Sequence, residues 1–382
     1  MSRFLRYTPL ALLPVGYYYA KDTRSVVHSH LIHPLLLRID PELAHDLSII
    51  GLKLFKPSDP TPVHDTLKVD LFGKQVCVLG MAAGYDKNGE VVDELFRLGF
   101  GAVEVGSVTP LEQTGNPRPR VFRLREDEAV INRYGFNSKG HAYMYARLVE
   151  YLQKRKERGG EEERLLGVNL GKNKTSVGNG DYVEGVKHVG GMGDYIVVNV
   201  SSPNTPNLRK MQGANELESL VREVKEAMRE YCPDKRLVVK VAPDLTREEV
   251  RGIVGVLVRE GVDGVIVGNT TISRPEGLKS RNKIEVGGLS GRPLKIKTIE
   301  KVREFYQEIQ ARGGKVKVIG CGGVMEGRDV VDYIRAGASA VQVYTGVVYR
   351  GVGGIGEIRR EIERELQGQR VSELIGTSVS EL

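Results

Sequence analysis

Cysteine is nearly absent from this chain of 382 residues. Cys77, Cys232 and Cys321 stand far apart with no C-x-x-C pair, which excludes a disulfide framework and any zinc or iron–sulfur site built from them. They read as buried apolar fillers in a reducing compartment. Clustered charge of one sign is missing too. The 56 Lys and Arg and 49 Asp and Glu leave a net +7, but the two signs are interspersed throughout, so no nucleic-acid partner is expected. The densest run, KRKERGGEEER from Lys154 to Arg164, cancels its own sign and reads as a solvated helix end and loop. Nothing calls for an obligatory protein partner. No apolar run in the first sixty residues reaches the roughly twenty residues that a bilayer-spanning helix needs.

The longest of these runs, from Tyr7 to Ala20, is flanked by Arg3, Arg6, Lys21 and Arg24, and its tyrosines Tyr17 to Tyr19 suit a membrane interface. It reads either as the end of an anchor or as a tail outside the fold. A secretory leader is disfavoured by the lack of a small-residue cleavage site. Next, Leu31, Ile32, Leu35 and Leu36, then Leu43, Leu47, Ile50 and Leu54, fall at helical spacing on either side of Asp40-Pro41. This predicts two amphipathic helices broken at a cap, which pack on a domain or lie in a headgroup layer.

From Val76 onward the pattern is regular. VCVLGMAA, GAVEVGSV, LLGVNLG, DYIVVNVS, RLVVKVA, DGVIVGN, KVKVIGC and SAVQVYT are short, nearly continuous apolar runs, as parallel strands buried on both faces should be. Helical patterns separate them, among them Glu90–Leu98, Glu216–Tyr231, Arg247–Glu260 and Ile296–Gln310. Eight such units predict an α/β fold, a (β/α)8 barrel, with a small two-helix domain in front of it. A doubly wound sheet is the competitor, disfavoured by the strand count and by the lack of G-x-G-x-x-G after the first strand. The expected organisation is an N-terminal segment 1–24, a helical domain 25–60, a barrel 61–370 and a C-terminal tail 371–382.

Polar residues then fall at the strand ends: Lys87, Ser107 and Thr109, Asn169, Asn199 and Ser202, Lys240, Asn269 and Thr270. That end of a barrel is where its enzymes work, so the residues read as a ring around one ligand. IGCGGV, YTGVV and GGLSGRP supply glycine-rich loops suited to a phosphate. Lys240, flanked by apolar residues in VVKVAPDL, needs an anion or an electron-rich ring opposite it, such as a reduced flavin. A Schiff-base lysine is the rival use. In NVSSPNT two serines stand side by side with no histidine nearby to activate either.

The motifs AAGYDKNGE, GNPRPRVFRL, INRYGFNSKG, GVNLGKNKTS, VVNVSSPNTPNLR, VKVAPDLT, GGLSGRPL, GCGGV and IRAGASAVQVYTG, in this order from about His30 to Leu366, resemble those of the class 2, quinone-linked dihydroorotate dehydrogenases. The resemblance implies an FMN-containing (β/α)8 barrel that oxidises (S)-dihydroorotate to orotate in pyrimidine synthesis and passes electrons to ubiquinone. It implies Ser202 as the base that takes the C5 proton, relayed through Thr205, Phe136 and a water, while a hydride passes from substrate C6 to flavin N5. By the same resemblance Ala82, Ala83, Gly84, Ser107, Asn169, Asn199, Lys240 and Gly268 contact the flavin, and Gly291, Gly322, Gly323, Tyr344 and Thr345 its phosphate end. Substrate contacts fall to Lys87, Asn132, Arg133, Tyr134, Gly135, Phe136, Asn199, Asn204, Asn269 and Thr270. His45, Arg123 and Tyr344 border the quinone, and the N-terminal helices meet a lipid surface. The mitochondrial inner membrane is the implied location, with a bacterial inner membrane left open.

Some positions depart from the family pattern. Cys77 and Val78 replace Asn-Pro, Gly268 replaces a threonine at the flavin, and Cys321 replaces an aliphatic residue. The basic insertion Lys279–Ile284 is expected to be a mobile loop. Two other readings stay in view: another FMN barrel oxidoreductase acting on a pyrimidine ring, and an inactive barrel that only binds.

Overall fold

The computed structural model describes residues 17, 19–159, 163–205 and 207–379. The basic flank Arg3 and Arg6, most of the run Tyr7–Ala20 and the middle of the run Lys154–Arg164 lie outside these residues. No helix among the described residues is long and apolar enough to cross a membrane.

Thirteen strands are described: β1 (Lys68–Leu71), β2 (Lys74–Cys77), β3 (Leu79–Met81), β4 (Ala102–Val108), β5 (Val121–Leu124), β6 (Ala129–Asn132), β7 (Leu165–Leu170), β8 (Tyr195–Asn199), β9 (Arg236–Val241), β10 (Gly264–Val267), β11 (Gly288–Gly291), β12 (Lys317–Cys321) and β13 (Ala340–Val343). Eight of them close a parallel barrel in the order β3-β4-β7-β8-β9-β10-β12-β13, with β13 pairing back on β3. Val103, Val168, Ile196, Val238 and Ile266 are solvent-free on these strands. Outer helices and inner side chains cover both strand faces, so branched apolar residues run without alternation.

The helices are α1 (His33–Arg38), α2 (Pro41–Phe55), α3 (Val92–Arg97), α4 (Gly140–Glu157), α5 (Gly180–Val189), α6 (Ala214–Tyr231), α7 (Arg247–Arg259), α8 (Lys295–Ala311), α9 (Gly327–Arg335), α10 (Thr345–Arg350) and α11 (Gly353–Leu366). Thr246 and Glu249 close a capping box at the start of α7, which fixes where that helix begins. Val371 and Leu374 are buried, and Gly376 N–H donates to Ile334 O of α9 at 3.0 Å, so residues 371–376 pack on the barrel.

Four expectations need correction. The run Val76–Ala83 is not one strand: Val76 and Cys77 end an antiparallel hairpin with β1, and the barrel strand starts at Leu79. The charged run is not wholly solvated, because Arg155 is buried and donates to Asp194 at 2.9 Å. Residues 279–284 are pinned rather than loose: Asp127 accepts from Lys279 N–H at 2.8 Å and Ser280 N–H at 3.0 Å, and Asn282 bonds Arg123 O. Cys321 packs against the core but is only half-buried, since it also lines the cavity described below.

In front of the barrel, α1 and α2 meet at Asp40, whose carboxylate accepts from Glu42 N–H at 3.0 Å and Leu43 N–H at 2.9 Å while Pro41 opens α2. The 3.6-residue period gives α2 two apolar faces. Leu43, Ile50 and Leu54 point out, 50%, 49% and 63% exposed, while Ala44 and Leu52 point in. The inner face is tied to an antiparallel sheet, β5-β6-β11, that interrupts the barrel. Arg120 ion-pairs with Glu42, and Arg123 donates to Leu36 O at 3.0 Å and Ile39 O at 2.7 Å.

Candidate active site

Between α1, α2 and the open end of the barrel lies a cavity of about 510 Å³, within the range of small-molecule sites. Its two halves differ in chemistry. Toward the helices the wall is apolar, with Ile32, Leu36, Ala44, Leu52 and Phe55. Toward the barrel it is polar, with Asn132, Asn199, Ser202, Asn204, Lys240 and Asn269.

The paired serines divide their work. Ser201 is fully buried; its hydroxyl donates to Asn199 Oδ1 at 2.8 Å and accepts from Asn269 Nδ2 at 2.8 Å, which locks the loop after β8 to the loop after β10. Ser202 lines the cavity instead, and its Oγ accepts Asn204 N–H at 3.3 Å. Arg209 secures this loop from behind, donating to Ser201 O at 2.9 Å, Thr270 O at 2.7 Å and Asp244 at 2.8 Å. Asn204 in turn donates to Asn132 Oδ1 at 3.3 Å.

Lys240 has a partner inside the barrel. Its Nζ lies 3.3 Å from Glu104 Oε1, and the side chains are 4% and 0% exposed. Glu104 also accepts from Asn169 Nδ2 at 2.7 Å and Gln342 Nε2 at 2.6 Å. Asn169 accepts from Ser107, which accepts from Asn199 Nδ2 at 2.9 Å, so one buried carboxylate anchors polar groups from β4, β7, β8, β9 and β13. Burial opposes the ammonium of Lys240, but the charge of Glu104, its hydrogen bond and the nearby Cys321 together hold the lysine above its usual range.

Lys87 sits 3.6 Å over the ring of Tyr134, and burial pulls its ammonium down to about 8. His45 meets the edge of Tyr85 at 5.4 Å; burial, then the nearby Lys87, push it down to about 3, so it is neutral. Tyr85 bonds Ser48 Oγ at 3.0 Å and lies 6.2 Å from the ring of Tyr344. Arg123 also borders the cavity, and its Nε is buried with no partner among the described residues.

Of the flavin-side residues, Ala82, Ala83, Gly84 and Ser107 line the cavity, and so do Gly291, Gly322, Gly323, Tyr344 and Thr345. A Cβ on Gly84, at φ +104°, would meet only Tyr344 at 3.5 Å, so the missing side chain leaves open cavity there. Lys87, Tyr134, Gly135, Phe136 and Thr270 line the substrate half. Four expected residues do not reach the wall. Asn169 stands behind Ser107. Thr205 is buried. Gly268, at φ +114°, has Cys321 O only 1.9 Å from where a Cβ would sit, which also explains why no threonine stands there. Arg133, just beyond the end of β6, turns away from the cavity, to Glu285 at 2.8 Å and over Phe122.

Sequence reasoning missed Glu104, Gln342 and Tyr85. The signal for the first two was present: each is polar inside an otherwise apolar strand, as Lys240 is. Among the described residues no group of three or more His, Cys, Asp or Glu is placed to hold a metal.

Comparison with known proteins agrees with this geometry. The sequence model of the family described as dihydroorotate dehydrogenase matches residues 66–366. A dihydroorotate dehydrogenase (quinone) of Rhodospirillum rubrum is 45% identical over 91% of this chain and 93% of its own length. The mitochondrial dihydroorotate dehydrogenase (quinone) of Mus musculus is 45% identical over 93% and 90%. The crystal structure of the Eimeria tenella dihydroorotate dehydrogenase in complex with ferulenol superposes with a TM-score of 0.85 at 40% identity, over 91% of this chain and 98% of that one. The chain belongs to the dihydroorotate dehydrogenase family.

Proposed function

We propose that this chain oxidises (S)-dihydroorotate to orotate in pyrimidine synthesis and delivers the electrons to a quinone, with FMN as its resident cofactor. The observation that carries the reading is the divided cavity: a hydroxyl, an ammonium and four asparagine side chains on one wall, continuous with an apolar passage between two amphipathic helices.

The residues present fit FMN. Ala82, Ala83 and Gly84 leave a slot free of side-chain bulk for a flat ring, Ser107, Asn199 and Lys240 offer polar contacts, and Gly291, Gly322, Gly323 and Thr345 offer backbone and hydroxyl groups to a phosphate. When bound, FMN supplies two-electron acceptance from the substrate and release to the quinone.

The chain's own residues supply the rest. Ser202 Oγ removes a proton from the ring carbon beside the substrate's carbonyl. A neutral hydroxyl is a weak base, so as Oγ takes that proton its own hydroxyl proton leaves through the relay of Thr205 and a water, while Arg209 and Ser201 hold Ser202 in register by clamping its loop. Phe136 closes the cavity beside it and excludes bulk water. Lys87 pairs with the substrate carboxylate, and Asn132, Asn204, Asn269 and Thr270 direct amide and hydroxyl groups at the imide-like ring edge. His45, Arg123 and Tyr344 border the quinone, where the Arg123 guanidinium supplies positive charge beside the cavity. Residues 25–60 form the quinone-side domain, whose outward leucines rest on a membrane surface. The inner mitochondrial membrane is the proposed location, with the mitochondrial names of several relatives in support.

The test is a purified preparation that is yellow with FMN and reduces a quinone analogue only when given dihydroorotate. Colourless, flavin-free protein, or turnover indifferent to dihydroorotate, contradicts the proposal.

A further inference from the structure

The ammonium on the cavity wall does not act as a bare cation. Glu104 has no exposed surface, sits at the centre of the barrel and receives three donors, from Lys240, Asn169 and Gln342. Two of the three, Lys240 and Gln342, themselves line the cavity. Three donors converge on this one carboxylate, and inside a protein the field of a buried ion pair is poorly screened.

We propose that Glu104 is a positioning residue that sets the reduction potential of the cofactor: it presents Lys240 as half of an ion pair, and so limits how strongly the site stabilises the reduced, negatively charged flavin. This rests on the flavin reading above. A lone lysine at the ring would favour reduction by the substrate but would also hold the electrons back from the quinone. The paired carboxylate offsets part of that pull, which suits a site that must both accept and release two electrons. Its bonds to Asn169 and Gln342 fix the carboxylate in place, so the offset does not depend on a side chain free to swing.

The test compares the FMN-loaded wild type, Glu104→Gln, Lys240→Met and the double variant, reading the flavin potential from its absorbance against dyes of known potential. Removing the negative charge while keeping the shape should raise the potential in Glu104→Gln, by at least the equivalent of a tenfold shift in the reduction equilibrium, about 30 mV for a two-electron couple. Reoxidation by quinone should slow while reduction by dihydroorotate does not. Lys240→Met, which leaves the carboxylate unpaired, should lower the potential, and the double variant should lie above Lys240→Met by a similar tenfold equivalent. A potential unchanged in Glu104→Gln with flavin retained would reduce Glu104 to scaffolding. If Glu104→Gln loses flavin or fails to fold, equal potentials in Lys240→Met and the double variant overturn the proposal, and a tenfold difference supports it. A wild type that takes up no FMN would instead contradict the flavin reading itself.

Discussion

Arg120 holds Glu42 across the junction between the barrel and the N-terminal helices, donating Nη2 to Oε1 at 2.7 Å and Nε to both carboxylate oxygens at 3.2 Å. The side chains are 7% and 8% exposed. Arg120 also donates to Thr114 O and Asn116 O, so a single guanidinium joins α2 to the loop before β5. Arg118 adds a second, more exposed contact to Glu42 at 3.0 Å. Arg120→Met leaves a buried carboxylate with only that outer partner. It should cost about 2–3 kcal/mol in denaturant unfolding, below the cost of fully orphaning a buried charge.

Arg123 fixes the turn between α1 and α2 through three backbone carbonyls. Arg123→Ala should raise the KM for quinone by about tenfold, the effect of about one lost charge-assisted hydrogen bond, while anaerobic reduction of the flavin by dihydroorotate stays within about twofold. Equal damage to both half-reactions would mean that Arg123 serves the fold rather than the quinone side.

If Lys87 pairs with the substrate carboxylate as proposed, it sets a pH limit on substrate affinity. Burial lowers its pKa to about 8 in the free protein. The charged form binds the carboxylate, so affinity is complete below that pH and is lost as the pH rises through it. Orotate binding, read by its perturbation of flavin absorbance, should weaken about tenfold per pH unit above about 8. In Lys87→Met this dependence should vanish and the affinity should be low at every pH.

Gly268 is required by its backbone. With φ at +114° and a Cβ site 1.9 Å from Cys321 O, Gly268→Ala should destabilise the barrel by about 3 kcal/mol or more. A thermal melt within a degree or two of wild type would show that β10 and β12 separate more easily than their pairing indicates.

The barrel was legible because its signal is local: each strand is an apolar run that must be buried on both faces. What escaped depends on distant pairing. β11 joins β6 through Gly288 opposite Asn132, a partnership no local pattern announces, and Val76 and Cys77 look like barrel strand until Lys68–Leu71 claims them. The candidate site was legible as a set of residue types at strand ends, but side-chain direction was not. Arg133, just past the end of β6, sits beside Asn132 yet turns to Glu285 and the ring of Phe122, partners that no local pattern announces. Glu104 went unremarked although a carboxylate within GAVEVGSV signals a buried charge as clearly as Lys240 does.

The most direct test of the central claim is stopped-flow reduction of FMN by dihydroorotate in Ser202→Ala, under anaerobic conditions and with flavin content matched to wild type. If Ser202 Oγ takes the substrate proton, the reduction rate should fall by about 10²–10⁴-fold while orotate still binds. A rate within about threefold of wild type, with flavin and orotate binding intact, would contradict that role.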